Sequence, residues 1–189
     1  MTLAQPHPDA AQVQQHMQRW LERAVIGLNL CPFAKAVHVK GQIRYAVTAA
    51  TDAGELLAEL RQELLDLAQA DPAERDTTLL VAPDALADFL DFNDCLGRSE
   101  RLLRKLGLDG VLQIASFHPR YQFADAEPDD VSNCSNRAPY PTLHLLREAS
   151  IARAVQAVPD AADIYERNRQ TLAALGFAGW AALGLDSKR

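Results

Sequence analysis

From Val13 onward the apolar positions Met17, Trp20, Leu21, Val25 and Leu28 recur at the spacing of one helix face. Pro32 biases Cys31 away from helical backbone, so the pattern predicts a first helix that ends at Cys31. Ile43, Tyr45 and Val47 alternate with their neighbours as in a strand, and Asp52 followed by Glu55 is a cap signal for a helix to about Ala68. The run 77–82 is short, apolar and stopped by Pro83, which predicts a buried strand. A helical region over 84–106 follows, with an interruption expected near Gly97 and Gly107 as its cap. Residues 111–117 read as a third strand. Two helices are expected to close the chain, one over 142–157 and one over 160–175 capped by Gly176, ahead of a tail whose Trp180 docks on the core.

Strands alternating with helices predict an α/β fold: a small three- to four-stranded parallel or mixed sheet covered by about five helices. Residues 1–9, with two prolines and no period, read as a flexible lead-in to a single domain over 10–189. A length of 189 residues with 48% hydrophobic and 23% charged positions suits one core. A formal charge of -6 argues against a nucleic-acid partner, which calls for a basic face. No run approaches the roughly 20 apolar residues of a membrane span, and the N-terminus lacks the features of a signal peptide. The expectation is therefore no membrane partner and a cytoplasmic location. Cys31, Cys95 and Cys134 are odd in number and form no Cys-x-x-Cys pair, so free thiols are expected. No cofactor or oligomeric state is singled out by these patterns.

Candidate chemistry is concentrated between Phe117 and Glu148. Residues 118–141 have no period, contain four prolines, and carry Asp125, Glu127, Asp129 and Asp130. Loops of that length inside a compact domain are usually functional or disordered. His118 ends a strand at the carboxyl edge of the sheet, where ligands bind in open α/β folds, and Pro119 holds it at a turn. Its alternative role is a structural hydrogen bond. Arg120 and Tyr121 follow it; Cys134, Asn136, Arg137 and Tyr140 lie further along the loop.

If Pro141 and Thr142 start a helix, His144 falls in its first turn, where free amides favour an anion. His144 and Glu148 then share a face, with Arg147 beside them, as suits a metal pair, a carboxylate-oriented general base or an ordinary surface contact. Arg120, Arg137 and Arg147 either converge on a small anionic molecule or pair with the loop acids. Cys31 has three readings: a nucleophile poorly served by a helix C-terminus, a thiolate ligand to iron, zinc or haem, or a small buried apolar residue. Cys134 is the better candidate for reactivity, and Cys95 is expected in the core. Asp88, Asp91 and Asp94 are spaced to form a solvated acidic face.

Three long words, Leu28-Asn29-Leu30-Cys31-Pro32-Phe33-Ala34, Ile114-Ala115-Ser116-Phe117-His118-Pro119, and the run from Asn136 through Pro139-Tyr140-Pro141 to Glu148, make a specific match in order. In them the chain resembles the bacterial domain-of-unknown-function family 1415, from first helix to last. The resemblance implies one compact domain and carries over no catalytic assignment. Ala138 stands where the family pattern suggests a serine after Asn136-Arg137, so that hydroxyl is not expected to be essential.

Three functional expectations follow. The leading one is a small-molecule enzyme or ligand-binding domain, with His118, His144, Glu148 and Cys134 as catalytic groups and Arg120, Tyr121, Asn136, Arg137, Tyr140 and Arg147 as ligand-binding ones. Another is a metal or haem protein using Cys31, His118, Cys134 and His144. The third is a scaffold whose Pro139-Tyr140-Pro141 surface docks a protein partner.

Overall fold

In the computed structural model, which describes residues 8–157 and 163–185, helix α1 (Ala10–Trp20) begins at Asp9. The Asp9 carboxylate accepts from the Gln12 amide, and the Gln12 side chain accepts from the Asp9 amide, satisfying two orphan donors at once. Of the expected lead-in, residues 1–7 lie outside the described residues. The helix continues as a π-helical stretch, Leu21–Ile26, rather than reaching Cys31. Asn29, with φ 54°, turns the chain. Cys31 and Pro32 then lead into α2 (Ala34–Val39), a short helix the pattern did not suggest.

Strand β1 (Ile43–Val47), helix α3 (Ala53–Gln69) and strand β2 (Thr77–Val81) follow as expected. The Asp52 side chain caps α3 through the amides of Gly54 and Glu55. Helix α4 (Phe89–Lys105) starts five residues later than expected and runs without a break through Gly97. Asp88 is its N-cap, accepting from Leu90 and Asp91, which gives one member of the acidic triplet a structural duty. Gly107, at φ 70°, ends the helical region as anticipated. Strand β3 (Leu112–Phe117) closes the predicted series.

Residues 142–157 are a correction. They form strand β4 (Thr142–Arg147) and helix α5 (Glu148–Ala157), with no turn between them. Strand β4 lies between β2 and β3 and pairs antiparallel with both, in the order β1-β2-β4-β3. Paired on two sides, its backbone is fully satisfied in extended form. Since β1 and β2 run parallel, the carboxyl ends of β1, β2 and β3 share one edge with the start of β4.

The mixed sheet has helices on both faces. Leu80, Leu143 and Leu145 pack with Leu56, Leu60 and Leu64 of α3 and Phe92 and Cys95 of α4. Leu79 and Val81 pack on the other face with Val13, Met17 and Trp20 of α1. Helix α6 (Ile164–Ala182) breaks at Gly176 and then resumes, so Trp180 docks from within a helix instead of from a tail. The expected start of that helix at residue 160 lies outside the described residues. All three cysteines are free, and Cys95 is core. Among the described residues no helix is long and apolar enough to cross a membrane.

Candidate functional site

His118 leaves β3 at the carboxyl edge and is completely buried, between the rings of Phe89 and Phe92. The Arg120 amide donates to its Nδ1 at 3.0 Å, so Nε2 carries the proton and donates to the Leu86 carbonyl, also at 3.0 Å. Leu86 has φ 55°, a left-handed conformation costing a non-glycine residue about 1 kcal/mol. Arg120 adds Nη2 bonds to the Ala87 carbonyl and to Asp88. The turn after β3 therefore grips the loop before α4 and stabilises its strained backbone. Both imidazole nitrogens are engaged in that grip.

The long loop is ordered by its own polar side chains. Asn133 is buried, accepts from the Phe123 amide and donates to the Glu127 carbonyl. Asp130 accepts from the Ser132 amide at the start of a 3-10 turn, and these hydrogen bonds hold its carboxyl below the usual range. Asn136 donates to the Ser116 carbonyl. The Arg137 guanidinium reaches the Tyr121 and Pro128 carbonyls. Tyr121 lies against Phe89 and Phe123, and burial raises its phenol. Cys134 is buried beside Leu30 and Leu172, where desolvation raises its thiol against the opposing effect of Arg137.

Arg147 lies at the opposite edge from His118. Its guanidinium donates to the Leu67, Ala70 and Arg75 carbonyls, closing the C-terminal end of α3. The three arginines thus do not converge: each binds backbone carbonyls, and among the described residues Arg120 alone of the three also forms an ion pair, with Asp88.

His144 stands on β4, not in a first helical turn, and shares no helix face with Glu148, which opens α5 and donates its amide to the Val111 carbonyl. Thr77 Oγ1 donates to the Leu145 carbonyl at 2.6 Å, so it accepts from His144 Nε2 at 2.7 Å. Burial pushes His144 down to about 4. The folded protein thus keeps this ring neutral, while the unfolded chain takes up a proton near 6.5. Its contribution is complete above that pH and is lost as pH falls toward 4, by up to about 1.4 kcal/mol per unit. Replacing His144 by leucine is expected to remove that slope, so urea unfolding at pH 7 and pH 4 should show the variant gaining about 3 kcal/mol on the parent at the lower pH. Parallel pH profiles for the two proteins would refute the assignment.

Cys31 precedes a helix instead of ending one. The amides of Phe33 and Ala34 hydrogen-bond its thiol, yet burial still raises it. Cys31, Cys134, His118 and His144 sit in separate surroundings, and among the described residues no group of three or more His, Cys, Asp or Glu is placed to share a metal ion. Tyr140 is also interior, 1% exposed, with its hydroxyl 2.8 Å from His16 Nδ1. Pro139, Tyr140 and Pro141 therefore form an inner wall, not an outward docking face.

A different feature occupies the expected place. A cleft of about 360 Å³ opens beside the end of β3, lined by Trp20, Pro119, Arg137, Pro139, Trp180 and Leu185, with the methyl of Ala138 between them. Trp20 is fixed as one wall: its indole donates to the Arg137 carbonyl at 2.9 Å and meets Phe117 edge-on at 5.0 Å. Among the described residues no acidic side chain lines the cleft. The residues missed by pattern reasoning are His16, Trp20 and Trp180. His16 and Trp20 were legible as neighbours one helical turn apart, but their partners, Tyr140 for His16 and Arg137 and Phe117 for Trp20, come from distant segments.

The family described as "Protein of unknown function (DUF1415)" matches residues 12–182. No curated protein and no solved structure matches the chain.

Proposed function

We propose that this chain, which belongs to the DUF1415 family, is a small-molecule-binding domain whose ligand, flat and anionic, enters the cleft between Trp20 and Trp180. The observation that carries the reading is the cleft itself. At about 360 Å³ it falls within the size range of ligand pockets, and it lies at the carboxyl edge favoured in α/β sheets. The lining sets the flat side chains of Trp180, Pro119 and the almost fully buried Trp20 and Pro139 beside Arg137. Arg137 in the lining, with no acid beside it among the described residues of a chain of net charge -6, favours a negative group on the ligand. Binding is preferred to proton-transfer chemistry because His118 has both ring nitrogens committed to the backbone.

Trp20 and Trp180 are the two tryptophans of the chain, so all indole fluorescence originates at the cleft. Titration with benzoate and indole-3-acetate, and with their uncharged amides, is expected to show saturable binding, by that emission for the benzoate pair and by calorimetry for the indole pair, whose own fluorescence overlaps it. The carboxylates should bind about tenfold more tightly than the amides, as one charge-assisted hydrogen bond implies. Trp180→Ala should abolish the response while preserving the fold. No saturable binding across the panel, or equal affinity for acids and amides, would overturn the corresponding half of the reading.

A further inference from the structure

We infer that residues 177–185 form a hinged lid on the tryptophan cleft, pivoting at Gly176 and latched by Arg23. The inference rests on the cleft being the binding site and adds how a ligand gets in and is held.

The hinge is a backbone feature. Helix α6 is continuous in outline, but Gly176 has φ 63° and ψ 175°, a conformation essentially reserved for glycine. A side chain at Gly176 would meet nothing within 4 Å, so space does not dictate the glycine; the dihedral angles do. The two sides of the hinge are held differently. On the near side, Leu172 is buried with Leu30 and Cys134, and Asn168 donates to the Leu30 carbonyl at 2.9 Å; on the far side, Trp180 only packs against that cluster from a half-buried position. The near half is anchored to the long loop.

The far side is a short helical piece, well below the length at which an isolated helix is stable in water. It contains Gly179 and is followed by Gly184, both poor helix formers. A Cβ on Gly179 would come within 2.5 Å of the Leu175 side chain, so the piece folds back closely on the anchored half. From that position it delivers Trp180 and Leu185 to the cleft. Phe177, just past the hinge, stays 47% exposed.

Among the described residues, the side-chain hydrogen bond tying this piece to another element comes from Arg23, whose Nη1 donates to the Leu183 carbonyl at 2.8 Å in an exposed position. Arg23 belongs to the π-helical stretch that continues from Trp20, so the latch and the fixed wall are on one rigid element. A piece with weak intrinsic helicity, apolar contacts and one exposed polar tie occupies the low end of local stability, where lids are found.

Hydrogen exchange on the full chain without ligand tests the device. Peptides from 177–185 should exchange faster than those from 164–175. Arg23→Ala should raise exchange in 177–185 by about three- to tenfold and leave 164–175 unchanged, as the loss of one exposed hydrogen bond predicts. Saturating indole-3-acetate should slow exchange in 177–185. If α6 exchanges as one unit across Gly176, or if Arg23→Ala changes nothing or accelerates the whole chain uniformly, the lid is refuted. The ligand-free arm separates the two readings. A lid that opens in a protein binding none of the acids refutes the binding reading alone, and saturable binding with a rigid α6 refutes the lid alone.

Discussion

Arg147→Met is expected to lower the unfolding free energy by about 4 kcal/mol. The guanidinium serves the carbonyls of Leu67, Ala70 and Arg75, and the thioether cannot replace any of those donors. Leaving a buried carbonyl unpaired costs about 1–3 kcal/mol, which the Leu67 carbonyl incurs in full and the half-buried Ala70 and Arg75 carbonyls in part. Methionine retains most of the aliphatic packing, so the loss reports hydrogen bonding rather than a cavity. Urea denaturation with an unchanged m-value is the appropriate measurement. A loss under about 1 kcal/mol together with weakened anion binding would instead return Arg147 to the ligand-binding role its sequence neighbourhood suggested.

His118→Leu comes next, at about 3 kcal/mol. The substitution fills similar space but leaves the Leu86 carbonyl and the Arg120 amide without their imidazole partner. It also removes the restraint on a left-handed residue, so the loop before α4 should relax. Thermal or urea unfolding should show the loss, while the cleft of the still-folded variant binds indole-3-acetate with unchanged affinity. Normal stability with lost binding is the outcome that a catalytic or ligand-contacting His118 would produce.

These two residues show what was legible from the chain and what was not. The three strands β1, β2 and β3 and helix α3 were visible because alternation, a proline stop and the Asp52 cap are local signals. Strand β4 was not. Its run Thr-Leu-His-Leu-Leu-Arg is too short to distinguish period 2 from period 3.6, and it passes into α5 without turn residues. Only pairing with β2 and β3, set by residues far away in sequence, makes it a strand. The misplaced helix start also misplaced His144 and Arg147, because a helix N-terminus and a strand end put side chains in different company.

The carboxyl end of β3 is where the cleft opens, and Pro119 and Arg137 line it. Polar residues drew attention to Phe117 through Glu148, yet most of them hold the backbone of a long loop: Asn133, Asn136 and Arg137 each serve main-chain groups. A loop without regular structure needs such partners, so its richness in Asn and Arg has a structural cause. The cleft's indoles come instead from the first and last helices, and nothing local in either helix announces that they meet.

The most direct test of the central claim uses the two indoles as separate probes. Protein labelled with 5-fluorotryptophan has two fluorine resonances, assigned by Trp180→Phe. Addition of indole-3-acetate is predicted to shift both resonances along one saturation curve, because Trp20 and Trp180 line the same cleft. Two resonances that stay fixed throughout the titration would contradict it.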